Sequence, residues 1–248
     1  MNVSAKRLRM RRDRHESDEL KHESHARSAA DFDSLWARDL RWLDEPNRRG
    51  NGTSRVGVAD TSTWPELGIS GRVYVKRQQA FFCRPAWNAF RRTPTLRRER
   101  RFIARARALG VNVPDVVLYQ EGSDDRAILV LREIDGAVDL EESLLSLDAI
   151  DRCELFRNIG KTLAKLHSAR LVHGAVYPKH VLVEVCSCRV WLIDLEKTRC
   201  VLSRSSAATR DIARLVRHAP FMTDPDLEAL VSGYDARAFP RLLERLKR

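Results

Sequence analysis

Residues 171–199 read LVHGAVYPKHVLVEVCSCRVWLIDLEKTR, and the architecture is read outward from them. A loop carries His173 and His180. A short apolar strand follows from Val181 to Val185, then a turn from Cys186 to Arg189, then a second apolar strand from Val190 that ends in Asp194. Two apolar runs of strand length divided by a short turn form a β-hairpin. This hairpin delivers one carboxylate at its exit, and Glu196 and Lys197 follow it directly.

The elements around this hairpin are legible from periodicity. Asp148 can cap a long amphipathic helix whose core stripe is Ile150, Cys153, Phe156, Ile159, Leu163 and Leu166, ending at His167 just before the loop. Upstream, Val116 to Tyr119 and Ala127 to Leu131 are strands joined by a turn at Gly122 to Asp125. Thr95 to Leu109 is a helix between Pro94 and Gly110. On it, Leu96, Phe102, Ile103 and Ala106 lie at i−3, i+3, i+4 and i+7 from Glu99, so that acid sits on the apolar face, while the arginines at 97, 98, 100, 101, 105 and 107 largely take the others. A carboxylate turned inward needs a partner. Lys76, closing the strand Val73-Tyr74-Val75, is available, with Arg100 or Arg101 as a local competitor. From Asp31, Phe32, Leu35, Trp36, Leu40 and Leu43 form one helical stripe closed by Pro46.

Between that helix and the next strand lies RRGNGTSRV, Arg48 to Val56. A turn containing Gly50 and Gly52 lets backbone N–H groups approach phosphates with no Cβ in the way, and Thr53 and Ser54 can add donors. An ordinary surface turn is the other reading of the same residues. Downstream, the run from Thr209 to Leu215 starts a helix for which Asp211 is a candidate N-cap. Two more helices are expected near Pro225 to Val231 and Ala238 to Leu246.

The runs HGAVYPKH (His173 to His180), LIDLEKTR (Leu192 to Arg199), EPNRRGNGTSRV (Glu45 to Val56) and VYVKRQ (Val73 to Gln78) resemble the bacterial lipopolysaccharide core kinases, the Kdo/WaaP and InaA-type group. The resemblance covers roughly Asp31 to the C-terminus. It implies an α+β, two-lobed, protein-kinase-like fold: a β-rich N-lobe at 31–132, with the linker Arg132 to Gly136 as its hinge, and a mainly helical C-lobe at 133–248. In that pattern Lys76 grips the α and β phosphates and is held by Glu99. Asp194 opens the Asp-Leu-Glu that replaces Asp-Phe-Gly and is a metal ligand. His180, five residues after position 175, takes the slot of the second metal ligand or faces phosphate, packing being the alternative. His173 is a catalytic base or the residue that holds the turn, Lys179 and Lys197 screen phosphate charge, and Asp211 braces the loop backbone if it is not simply an N-cap. The loop Asp of the general pattern is replaced by Ala175.

Composition bounds the partners. The chain has 248 residues and a net charge of +11. The segment from Arg72 to Arg107 has twelve Lys/Arg and one acid, Glu99, and alone accounts for a net +11. One basic flank of this kind calls for an anionic partner. The five cysteines form no CxxC pair and no zinc spacing, so neither a zinc site nor a disulfide framework is expected. Residues 1–30 are polar, charged and aperiodic, with six Lys/Arg in the first fourteen, and are expected to be a disordered basic extension. No apolar segment reads as a signal peptide or a membrane span. A cytoplasmic setting is expected, with association to the inner face of the inner membrane allowed by the basic flank.

The resemblance implies an ATP-dependent phosphotransferase, with ATP and Mg²⁺ as cofactors and a sugar hydroxyl of the lipopolysaccharide inner core, or another anionic glycan, as acceptor. Loss of the loop Asp at position 175 predicts a slow enzyme. One alternative is a catalytically inactive, kinase-like nucleotide-binding scaffold. A nucleic-acid-binding protein using the arginine-rich helix is the other; that helix lacks aromatic interleaving and any known binding motif, so no nucleic-acid partner is expected.

Overall fold

The computed structural model describes residues 31–83 and 92–234. The basic extension at 1–30 and the tail helix expected at 238–246 lie outside the described residues. The chain forms two compact units, one ending at Phe82 and rejoined by Val116–Arg132, the other made of Cys83–Asp115 and the residues from Glu133 on. The first is built mainly of strands and the second mainly of helices, as the α+β class requires. By its contacts, the segment carrying the arginine-rich helix groups with the second unit.

The first unit is a six-stranded antiparallel sheet. Its strands are β1 (Arg41–Trp42), β2 (Asn47–Arg49), β3 (Gly52–Asp60), β4 (Arg72–Gln79), β5 (Val116–Glu121) and β6 (Arg126–Arg132), ordered β1-β3-β4-β6-β5 with β2 also on β3. A short helix α1 (Phe32–Ala37), capped by Asp31, covers one face. Leu35, Trp64, Val73, Val75, Ile128 and Val130 form the core there.

Three local expectations change in this unit. The helix from Asp31 does not reach Leu43; it stops at Ala37, Arg38 is extended, and Arg41 and Trp42 pair with Val58 and Gly57. A Cβ on Gly57 would lie 2.9 Å from the Leu40 Cβ, so glycine admits this close approach. The ladder overrides the helical stripe, and Leu43 is left 44% exposed. The strand carrying Lys76 does not end there but runs on to Gln79, with Lys76 paired to Val56 and Leu129. The glycine-containing turn follows a strand, not a helix: Gly50 and Asn51 connect β2 to β3, with Gly50 at φ +58°. A positive φ at the first residue of a two-residue hairpin turn is the position that favours glycine.

The second unit contains α2 (Thr95–Ala108), a three-stranded sheet of β7 (Ala137–Asp139), β8 (Val181–Glu184) and β9 (Arg189–Leu192), and the helices α3 (Ala149–Ser168), α4 (Arg204–His218) and α5 (Asp224–Tyr234). Asp148 caps α3 through Ile150 N and Asp151 N at 2.8 and 2.9 Å. Phe156, Ile159, Leu163 and Leu166 are wholly buried, but Ile150 is 78% exposed because the first turn of α3 extends past the packed stripe. Helix α4 starts at Arg204, not Thr209, with Ser203 as its cap. Asp211 is therefore inside the helix and is not an N-cap.

Helices α3 and α5 meet at two glycines. A Cβ on Gly160 would lie 2.0 Å from the Leu230 carbonyl oxygen, and one on Gly233 would lie 2.0 Å from that of Arg157. The pair is pinned by Arg152, whose Nε and Nη2 donate to the Asp226 carboxylate at 2.8 and 2.7 Å. The Asp226 carboxyl is partly desolvated, which raises its pKa; its bonds from Arg152 and Thr223 outweigh that and hold it below the usual carboxylate range.

Candidate active site

The loop from His173 to His180 is held from below by one buried acid. Asp211 accepts the backbone N–H groups of His173 and Gly174 at 2.6 and 2.9 Å, and the Nε2–H of His167 at 2.9 Å. All three donors and the carboxylate lie in the second unit, and Asp211, His167 and His173 are fully buried. A carboxylate accepting three N–H bonds is well satisfied away from water. Tyr234 closes the stack at His167 Nδ1, 3.2 Å away.

His173 uses both ring nitrogens. Its Nε2 lies 3.0 Å from the Ile193 carbonyl, which can only accept, so Nε2 carries the proton. Nδ1 then accepts from the Ala175 N–H at 3.3 Å. Burial pushes the imidazole below its ordinary pKa, more than the Asp211 charge raises it. The ring is thus neutral and ties the loop to the end of β9.

His180 and Asp194 are brought together by the hairpin register. Val181 pairs with Leu192, and the Ile193 N–H donates to the His180 carbonyl at 3.1 Å. His180 Nδ1 lies 2.8 Å from the Ala175 carbonyl, so it carries a proton, and Nε2 lies 3.7 Å from Asp194 Oδ2. A ring nitrogen whose partner nitrogen donates to a backbone carbonyl has the tautomer that metal-ligating histidines use. Asp194 is in the left-handed region at φ +61°, ψ +58°. Asp tolerates that conformation better than most residues, and such backbone concentrates at functional sites.

Helix α2 packs on the segment just after Asp194. Arg98 donates through Nη2 to the Glu196 carbonyl, and Glu99, on the buried face of α2 as its spacing required, brings its carboxylate within 4.8 Å of ligand oxygens of both Asp194 and Glu196. At this spacing two carboxylates repel by about 3 kcal/mol at an effective ε of ~20. The donor set is hard oxygen, the chemistry Mg²⁺ selects, so the residues fit the divalent ion that the kinase pattern implies. Glu99 as a neighbour of the Asp194 carboxylate was not legible in the sequence, because its helical phase says only that it points inward.

In the first unit, the register separates the hydroxyls. Ser54 pairs with Gln78, placing it on the same face of the sheet as Val56 and Lys76, whereas Thr53 falls on the other face. The Ser54 Oγ accepts from Gln78 Nε2 at 3.1 Å. Gly52 is obligatory: a Cβ there would lie 2.5 Å from the Ala80 carbonyl oxygen. Lys179 and Lys197 are exposed, whereas Ala175 is wholly buried.

Two supporting residues escaped the sequence reading. Asn112 donates through Nδ2 to the Val190 carbonyl at 2.9 Å and accepts from the Leu192 N–H through its own carbonyl at 3.0 Å, fastening the hairpin to the segment after α2. Arg214 donates to the Tyr177 hydroxyl at 2.9 Å, and the Tyr177 ring meets His180 edge-on at 5.4 Å. Neither contact leaves a local sequence signal; each joins residues far apart in the chain.

A strand-rich unit with a central lysine, and a helical unit whose braced loop faces a hairpin-exit Asp, define a kinase-like phosphotransferase. The profile of the lipopolysaccharide kinase (Kdo/WaaP) family matches residues 33–234, and the chain belongs to that family. It is 27% identical to protein InaA of Escherichia coli strain K12 over 216 residues, which cover 83% of this chain and 96% of InaA. It is 34% identical to the KEOPS complex subunit Bud32 of Pyrococcus abyssi over 97 residues, 39% of this chain and 41% of that protein. Among solved structures, the Cydia pomonella granulovirus kinase PK-1 aligns with a TM-score of 0.45 at 16% identity, covering 66% of this chain and 53% of that one. Family membership implies a nucleotide substrate and an acceptor related to the lipopolysaccharide core. No helix among the described residues is long and apolar enough to cross a membrane.

Proposed function

We propose that this chain transfers the γ-phosphate of ATP to a sugar hydroxyl of the lipopolysaccharide inner core. The observation that carries the reading is the convergence of Asp194, Glu99 and Glu196, with His180 Nε2 3.7 Å from Asp194 Oδ2. Asp194 and His180 would hold Mg²⁺, with Glu196 or Glu99 adding an oxygen. The ion would neutralise charge on the β- and γ-phosphates. Lys76 binds the α and β phosphates. The hairpin turn at Gly50 to Gly52 and the Ser54 hydroxyl cover the phosphates, and exposed Lys179 offsets their charge. His173, with both nitrogens engaged and its charge suppressed by burial, positions the loop and exchanges no proton with substrate. The arginines of α2 with the rest of the basic flank draw the protein to phosphorylated glycans at the inner leaflet.

The test is transfer of radiolabel from ATP to purified core oligosaccharide. Label in the glycan that is lost with Asp194→Ala supports the reading, and its absence for a folded protein that binds MgATP favours a nucleotide-binding scaffold. That second reading is supported by Ala175, which puts a buried methyl group where the general pattern has its Asp.

A further inference from the structure

Neighbouring residues on a strand face opposite sides of a sheet, so Lys76 and Arg77 of β4 diverge. On the Arg77 side lies a cavity of about 220 Å³ lined by Trp36, Trp42, Arg48, Thr53, Arg55 and Arg77 among others. Arg55 and Arg77 stand directly opposite each other in the β3–β4 register. Like charges in that arrangement destabilise a sheet unless a counter-charge intervenes. Among the described residues neither makes an ion pair: Arg55 Nε donates to the Asp44 backbone carbonyl at 3.2 Å, and Arg77 Nη2 donates to the carbonyls of Leu35 and Arg38 at 3.0 and 2.7 Å. The charge of Asp39 acts on Arg77 but does not offset the desolvation that pushes this guanidinium down to about 10.

The aromatic rings orient these cations. Arg55 lies 4.3 Å and Arg77 5.5 Å from the Trp42 ring centre, and Arg77 is 5.7 Å from that of Trp36. Stacking a guanidinium on a ring occupies its face and keeps its edge for acceptors. Arg77 is only 9% exposed, and its buried Nε makes no hydrogen bond. The third arginine, Arg48, pairs with Thr53 across β2 and β3, so a hydroxyl donor and another cation border the same space.

The cavity is smaller than the ~300–1,000 Å³ of sites for drug-sized ligands, which excludes a whole nucleotide and suits one oxyanion. We propose that this cavity is a phosphoryl-binding site, on the opposite face of the sheet from Lys76 and separate from the nucleotide. Arg55 and Arg77 bind the phosphoryl oxygens through guanidinium edges, with Arg48 and Thr53 at the mouth, and the bound dianion relieves the repulsion between the paired arginines. The phosphoryl group belongs to a glycan, to a lipid headgroup or to free phosphate. This site stands whether or not the chain is an active kinase.

The experiment uses the full chain, tryptophan fluorescence and thermal melting, with inorganic phosphate, glucose 6-phosphate or phosphatidic acid vesicles, each against chloride of matched ionic strength. Phosphate is expected to raise the melting temperature above the chloride control and to change the emission of Trp36 and Trp42. Arg55→Gln is expected to weaken this binding about tenfold or more, as loss of a charge-assisted hydrogen bond does, with MgATP stabilisation intact. Arg48→Gln provides a second variant at an exposed position, and the phosphate response must persist in Lys76→Ala. Tighter binding of the sugar phosphate, of vesicles or of neither assigns the source to glycan, lipid or free anion, and each supports the site. No stabilisation beyond chloride, a response undiminished in both arginine variants, or one lost with Lys76 overturns it.

Discussion

Asp211, inside α4, accepts the backbone N–H of His173 at 2.6 Å across 38 residues of chain. With Gly174 and His167 as further donors, the carboxylate has three N–H partners and no exposure. An Asn at this position turns one acceptor into a donor facing another donor. Asp211→Asn is expected to cost about 1–3 kcal/mol, the penalty of a buried unmatched polar group, and to reduce phosphoryl transfer by loosening the loop. Urea unfolding of the two proteins measures the first effect. An unchanged midpoint would show that the brace carries no stability.

Nucleotide binding is tested through Lys76 and Asp194. A ligand at one hundred times its Kd stabilises the folded state by about 2.7 kcal/mol, so saturating MgATP should raise the melting temperature by several degrees. Lys76→Ala and Asp194→Ala are each expected to remove most of that rise without lowering the melting temperature of the free protein much. A full MgATP shift in Asp194→Ala would take Asp194 out of the binding site.

Acid should destabilise this protein in two steps. Burial lowers the His173 pKa from 6.5, so the unfolded chain binds the proton more readily; stability is full above about 6.5 and is lost as pH falls toward the lowered folded value. Asp226, lowered from 3.8, contributes stability that is present above 3.8 and lost as pH falls through its folded value. Urea midpoints measured from pH 8 to pH 3 should decline over both windows. His173→Gln should flatten the upper one alone.

The hairpin, α2 with its inward Glu99 and the stripe of α3 were legible because each is a local period acting over one element. The end of α1 was not. Leu40 and Leu43 continue a helical stripe, but pairing of Arg41 and Trp42 with β3 depends on Gly57, well downstream. Asp211 could be read as a cap or as a brace until the true cap, Ser203, was in view. The cluster of Glu99 with Asp194 and Glu196 required tertiary packing of α2 on the segment after β9, for which no spacing rule exists.

The α3–α5 crossing rests on two glycines that sequence alone reads as helix weaknesses, each costing about 1 kcal/mol relative to Ala. Here the Cβ of Ala would overlap a backbone oxygen at 2.0 Å, and backbone cannot yield as a side-chain tip does. Gly160→Ala and Gly233→Ala are each expected to destabilise by about 1–3 kcal/mol, as overpacking does, instead of gaining the propensity difference. Chemical denaturation decides the sign.

Ala175 is the last test, because it bears on the rate of transfer itself. Its backbone holds both histidines of the loop, donating to His173 Nδ1 and accepting from His180 Nδ1, while its side chain is a buried methyl. A methyl group can neither orient an acceptor hydroxyl nor take its proton. Positioning and charge neutralisation dominate phosphoryl transfer, and a general base adds about 10²- to 10⁴-fold. We therefore expect the wild type to bind MgATP and transfer slowly. Ala175→Asp should raise the transfer rate by at least tenfold with little change in ATP affinity, while the newly buried carboxylate lowers the melting temperature. Parallel radiolabel assays with one acceptor, normalised to folded protein, separate the two effects. If the wild type is already fast and Ala175→Asp slows it, position 175 is not where the acceptor proton leaves, and the base must be sought among the carboxylates around Asp194.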